Sequence, residues 1–171
     1  MATRDDPAAT TSEPAAAARA FRVPALVLGV GLGGFFDGIV LHQILQWHHL
    51  VSSLYPPDTV TNIELNTLVD GVFHLGTWIV TLLGAVLTWR AMGRTGARPA
   101  GRLLAGGLLA GWGAFNLVEG LVDHQLLGLH HVRPGPDQAL YDLVFLAWGA
   151  LMLGAGAYLL RERPEAAVGP D

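Results

Sequence analysis

Four long apolar stretches, at about residues 23–47, 66–89, 102–128 and 138–160, dominate the pattern of hydrophobic and polar positions. Each supplies at least the roughly 20 helical residues needed to cross a bilayer. The pattern therefore predicts an all-α membrane protein, a bundle of four transmembrane helices. Proline is absent from the span interiors, whereas glycine recurs in the first (Gly29, Gly31, Gly34, Gly38) and third (Gly107, Gly111, Gly113, Gly120). Small residues of this kind let transmembrane backbones approach closely.

The polar interruptions are ordered. The first span ends in His42-Gln43, four residues and His48-His49; the third ends in His124-Gln125, four residues and His130-His131. In the same register Asp37-Gly38 matches Glu119-Gly120, and in the following helix Asp70 and Phe73 match Asp142 and Phe145. The series predicts two pseudo-symmetric αα-hairpin repeats, 23–91 and 100–161, within a transmembrane domain spanning 21–162. Both halves start on the same side, so the repeat is parallel, about an axis near the membrane normal. The match is broken where His74 faces Leu146 and where Asp123 faces Leu41.

Charge gives the orientation. All ten basic residues are arginine, and they flank the apolar stretches unevenly: Arg19 and Arg22 before the first, Arg90, Arg94, Arg98 and Arg102 between the second and third, Arg161 and Arg163 after the fourth. The two remaining links carry Arg133 alone. By the positive-inside rule both termini are cytoplasmic and the histidine-bearing links lie outside, as in a multi-pass protein of a bacterial plasma membrane. Residues 1–20, rich in alanine, threonine, proline and acids, are expected to be a disordered cytoplasmic tail, with 163–171 as a second. The first apolar run carries Asp37 and His42 and does not resemble a cleaved signal peptide.

Composition narrows the chemistry. Only 14% of the 171 residues are charged, about half the share in soluble domains. Cysteine is absent, which excludes disulfides, thiolate metal sites and thiol nucleophiles. Scattered arginines without a basic, aromatic-bearing face argue against a nucleic-acid partner; the expected surroundings are the lipid bilayer.

At 1.5 Å per residue, His42 and His124 lie roughly 9 Å below the outer surface and Asp37 and Glu119 roughly 16 Å. Asp70, His74 and Asp142 enter the same layer from the other helices, at roughly 6 to 12 Å. Ionisable side chains inside a bilayer are costly unless paired or solvated, and so mark function by default. Mixed imidazole and carboxylate donors suit a transition metal ion, Zn²⁺, Fe, Mn or Cu²⁺, with His42, His74, His124, Asp37, Asp70, Glu119 and Asp142 as the expected ligands. Asp123, His48, His49, His130, His131 and Asn116 are accessory candidates, and Gln43 and Gln125 are hydrogen-bond partners that orient imidazoles. Two alternatives compete: polar side chains acting only as interhelical glue in a structural or partner-binding bundle, and haem held by His42 with His124, for which acidic neighbours are unusual company. A metalloenzyme would use the same pocket, with Glu119 or Asp37 accepting a proton; no catalytic residue is assigned.

The stretch Gly34-Phe-Phe-Asp-Gly-Ile-Val-Leu-His-Gln-Ile-Leu-Gln-Trp-His-His49, followed by Asp70-Gly-Val-Phe-His74, resembles a bacterial family of integral membrane proteins, domain of unknown function 2243. The resemblance covers about residues 21–161. It implies four spans and no established activity, and it suggests metal handling alongside assembly factors of respiratory complexes.

Overall fold

The computed structural model describes residues 7–161, with side chains from Arg19 onward. The C-terminal segment 163–171 lies outside the described residues. Every regular element among them is helical: α1 (Pro7–Phe36), α2 (Val60–Thr95), α3 (Gly101–Glu119) and α4 (Gln138–Leu160). Helical backbone thus runs through most of the segment 1–20 that composition reads as a tail, in keeping with the high helix propensity of its alanines. The longer α1 also makes Pro24 internal. Four helical stretches are long and apolar enough to cross a membrane: Arg19–Ile44, Val60–Thr95, Gly101–Leu126 and Gln138–Leu160.

Two elements are not foreseen by the hydrophobic pattern. α1 continues directly into a π-helical segment, Asp37–Ile44, and α3 into another, Gly120–Leu126. A left-handed residue follows each two positions on, Gln46 (φ 49°) and Gly128 (φ 59°), with Trp47 N–H bonding back to the Leu41 carbonyl and Leu129 N–H to that of Asp123.

α2 also outruns its apolar core. Thr59 caps its start by accepting from the Asn62 N–H, and Gly96, at φ 64°, ends it. Arg90 and Arg94 therefore stand on the helix, and the link to α3 shrinks to residues 96–100, because long arginine side chains can reach the interface from helical positions. At the same end Arg22 bonds the Leu160 carbonyl and Arg102 the carbonyls of Tyr158 and Arg161.

α1 and α3 form the central pair, with α2 packed on α1 and α4 on α3. Glycine sets these crossings. A Cβ at Gly111 would lie 2.1 Å from the Leu26 carbonyl oxygen, and one at Gly29 would lie 2.4 Å from that of Leu108. Large side chains on the outer helices, such as Leu68, Trp78, Leu143 and Trp148, are exposed, as suits a lipid-facing surface.

Gly111→Ala is expected to destabilise the bundle by about 1–3 kcal/mol through overpacking. Gly154→Ala, whose Cβ meets nothing within 4 Å, should be neutral or stabilising by up to about 1 kcal/mol. Thermal unfolding of the two purified variants compares them.

Candidate metal centre

The π-helical segments explain how the acidic and imidazole side chains meet. In an α-helix, residues five apart point about 140° away from one another. A π-turn, bonded i to i+5, brings them onto one face. His42 Nε2 accordingly lies 3.0 Å from Asp37 Oδ2, and His124 Nε2 lies 3.6 Å from Glu119 Oε1.

Behind each of these rings stands an aspartate from the next helix. Asp70 Oδ1 accepts from His42 Nδ1 at 2.9 Å and from the Leu50 N–H at 2.9 Å, and its Oδ2 accepts from His49 Nδ1 at 2.7 Å and Gln43 Nε2 at 3.3 Å. Around Asp142, Oδ1 accepts from the Val132 N–H at 2.9 Å, and Oδ2 from His131 Nδ1 at 2.6 Å and Gln125 Nε2 at 3.3 Å. His124 Nδ1 stands 3.5 Å from Asp142 Oδ1, an ion-pair distance rather than a hydrogen bond.

The backbones fixed in this way reach across the bundle. His48 Nδ1 donates to the Val132 carbonyl at 2.7 Å, and His130 Nδ1 donates to the Leu50 carbonyl at 3.0 Å. Ser53 N–H bonds the Leu129 carbonyl and ties the two links together. The His48 and His130 rings stack with centroids 4.4 Å apart, and His42 and His124 meet them edge-on at 4.5 and 4.7 Å.

A carbonyl or carboxylate can only accept, so the Nδ1 atoms of His42, His48 and His130 carry hydrogen. In a neutral ring this leaves Nε2 as a lone pair. The Nε2 atoms of His42, His48 and His124 are buried without a hydrogen-bond partner, as are both oxygens of Asp37 and Oε2 of Glu119. His130 Nε2 lies 3.3 Å from Glu119 Oε1. Acceptors facing one another in a buried site require a proton or a cation between them. Three overlapping triads bring ligand atoms within 4.8 Å of one another: His42, His48, His130; Glu119, His124, His130; and Asp37, His48, Glu119.

The expected residues are thus partitioned. Asp37, His42, Glu119 and His124 converge together with His48 and His130, which the sequence held only as accessories. Asp70 and Asp142 spend their oxygens on imidazoles and backbone N–H groups instead. His74 stands apart: its Nδ1 donates to the Asp70 carbonyl, and its Nε2 packs against Gly38, where a Cβ would come within 2.4 Å. His49 and His131 are partly exposed on the outer side of their aspartates. Gln43 and Gln125 bond those carboxylates rather than the rings, Asn116 is buried on α3, and Asp123 is half-buried in the second π-helical segment.

His48 lies outside the spans. Burial holds its imidazole neutral, with its pKa pushed down from 6.5 to about 2, helped by the neighbouring His130 and His42 rings.

These features define a multi-pass membrane protein with a buried histidine and carboxylate cluster at one end of a four-helix bundle. The chain belongs to the family described as predicted membrane protein (DUF2243), whose model matches residues 24–163. It is 32% identical over 127 residues to uncharacterized proteins of Mycobacterium bovis and of Mycobacterium tuberculosis, an alignment covering 73% of this chain and 48% of each relative. The chain therefore spans about half the length of the curated relatives it matches. No solved structure matches it.

Asp70→Ala strips acceptors from two imidazoles and one backbone N–H at once. A loss of at least about 3 kcal/mol is expected for it and for Asp142→Ala, against under about 0.5 for the exposed Asp58→Ala, in thermal unfolding.

The unfolded chain protonates His48 below its ordinary pKa of 6.5, while the folded chain resists protonation down to about 2. This group's contribution to stability is complete above about pH 6.5 and declines as pH falls toward 2. Unfolding of chelator-treated protein between pH 7.5 and 5 should show that decline, and His48→Gln should flatten it.

Proposed function

We propose that this protein binds a transition metal ion through Nε2 of His42, His48, His124 and His130 and the carboxylates of Asp37 and Glu119. One observation carries the reading: the Nδ1 atoms of three of these rings are tied to fixed acceptors, which turns their Nε2 lone pairs toward one another and toward two carboxylates. Imidazole held from behind by a carboxylate or carbonyl is the usual support of a metal-bound histidine. Asp70 and Asp142 have that supporting role here and are not ligands. The donor set suits Zn²⁺, Fe, Mn or Cu²⁺; Cu⁺ favours sulfur donors, and the chain has no cysteine and three methionines.

The two αα-hairpins are repeats of one unit, and the matching bonds around Asp70 and Asp142 support this. Arginines gather at the opposite end of the bundle from the cluster, which supports cytoplasmic termini and a metal site in the outer half of the bacterial plasma membrane. Metal handling on that side, including supply to respiratory enzymes during assembly, is the use that the family resemblance favours. A metalloenzyme within the bilayer is the second reading, favoured by an apolar cavity that reaches Asp37.

Elemental analysis of detergent-purified protein, reconstituted with each of the four metals in turn, tests the proposal. At least one ion per chain is expected for one of them, falling below about 0.2 in the His42→Ala, His124→Ala double variant. Chelation should lower the unfolding temperature, since an ion present at a hundredfold its Kd adds about 2.7 kcal/mol. Wild-type protein below about 0.2 ion per chain with every metal would remove the reading, and an optical spectrum of the same sample would expose haem.

A further inference from the structure

A cavity of about 290 Å³ meets the cluster from the side, between α1, α3 and α4. That is close to the lower end of the range for small-molecule sites. Its walls are built mainly from aromatic and aliphatic side chains, among them Trp112, Tyr141, Phe145 and Trp148, with Asp37 and Asn116 as the polar exceptions. Its rim includes Phe36, Val144 and Trp148, which are 45%, 58% and 54% exposed on the surface that faces lipid. A molecule entering here comes from the bilayer.

Asp37 decides what that molecule carries. The residue is 2% exposed, lines the cavity, and neither of its carboxylate oxygens has a hydrogen-bond partner. A plain acyl chain in the cavity would leave Oδ1 bare, at the cost of an unsatisfied buried acceptor, while Oδ2 faces His42 Nε2 at 3.0 Å. A hydrogen-bond donor at the tip of an apolar ligand removes that cost, and walls of indole and phenyl rings favour a flat ring next to the donor. A second cavity of similar size, among Val30, Phe73, Thr77 and Phe115, has no carboxylate in its lining. Of these two apolar cavities, only the first offers a carboxylate.

We propose that the cavity between α1, α3 and α4 binds a lipid-soluble phenol, its ring against the tryptophans and its hydroxyl donating to Asp37. This goes beyond the metal reading and does not depend on it, because one oxygen of Asp37 suffices for the phenol.

The test uses the full chain in lipid nanodiscs after chelator treatment, so that ligand binding is read without metal. Quenching of tryptophan fluorescence is titrated with 4-decylphenol and, in parallel, with decylbenzene. The phenol is expected to bind about fivefold more tightly, the worth of one buried hydrogen bond. Asp37→Asn should reduce that preference severalfold. Val144→Trp, which fills the mouth from an exposed position and leaves Asp37 in place, should abolish saturable binding while the protein keeps its unfolding temperature. Equal affinity for the two probes, absence of saturable binding, or full binding by a folded Val144→Trp protein would each overturn the proposal. Metal content, measured separately on untreated protein, reports on the other reading alone.

Discussion

Two buried carboxylates, Asp70 and Asp142, hold the histidine-bearing end of this bundle together. In a medium without water a buried ionised group must find its partners inside the protein, and each aspartate does so by gathering imidazoles, a glutamine amide and one backbone N–H. The backbone N–H matters most for the rest. Fixing Leu50 presents its carbonyl to His130, and fixing Val132 presents its carbonyl to His48. Each half of the molecule thereby orients a central histidine of the other, so neither half can assemble the cluster alone.

The π-helical segments follow from the same demand. Asp37 and His42 are five residues apart, as are Glu119 and His124, a spacing that an α-helix would direct to different faces. Widening the turn brings the two side chains together at the cost of regular α-helical bonding, and π-turns are often found at functional sites for this reason. The left-handed residues that follow, Gln46 and Gly128, turn the chain sharply enough for His48 and His130 to fold back over the helix ends. Glycine takes that backbone without strain, whereas glutamine at 46 adopts it at some conformational cost.

Much of this was legible in the sequence. The four spans, the polar layer, and the place of Asp37, His42, Glu119 and His124 in it follow from hydropathy and spacing. The matched motifs also carried the signal for the π-turns, an acid-glycine pair with histidine five residues after the acid in both halves, but 3.6-residue periodicity set those side chains on the flanks of a face. His48 and His130 were undervalued because counting residues puts them at the interface; their burial depends on the fold-back of two links onto each other, a tertiary contact without a local pattern. Asp70 and Asp142 looked like ligands by residue type. The structure turns their oxygens toward Nδ1 and backbone N–H groups, a direction that residue type does not reveal. The reach of α2 into Arg90 and Arg94 was hidden because charge ends an apolar window before it ends a helix.

Part of the residual asymmetry lies in one methylene. Glu119 and Asp37 occupy matching positions, but the longer glutamate reaches two rings, His130 at 3.3 Å and His124 at 3.6 Å. The shorter aspartate comes within ion-pair distance of one ring, His42 at 3.0 Å, and lies in the wall of a cavity open to the lipid-facing surface. On the other side of the bundle His74 packs over Gly38, where the matching Gly120 meets Leu146. Two nearly equal sets of donors thus acquire different surroundings: Glu119 stands between two imidazoles, and Asp37 between one imidazole and the cavity wall.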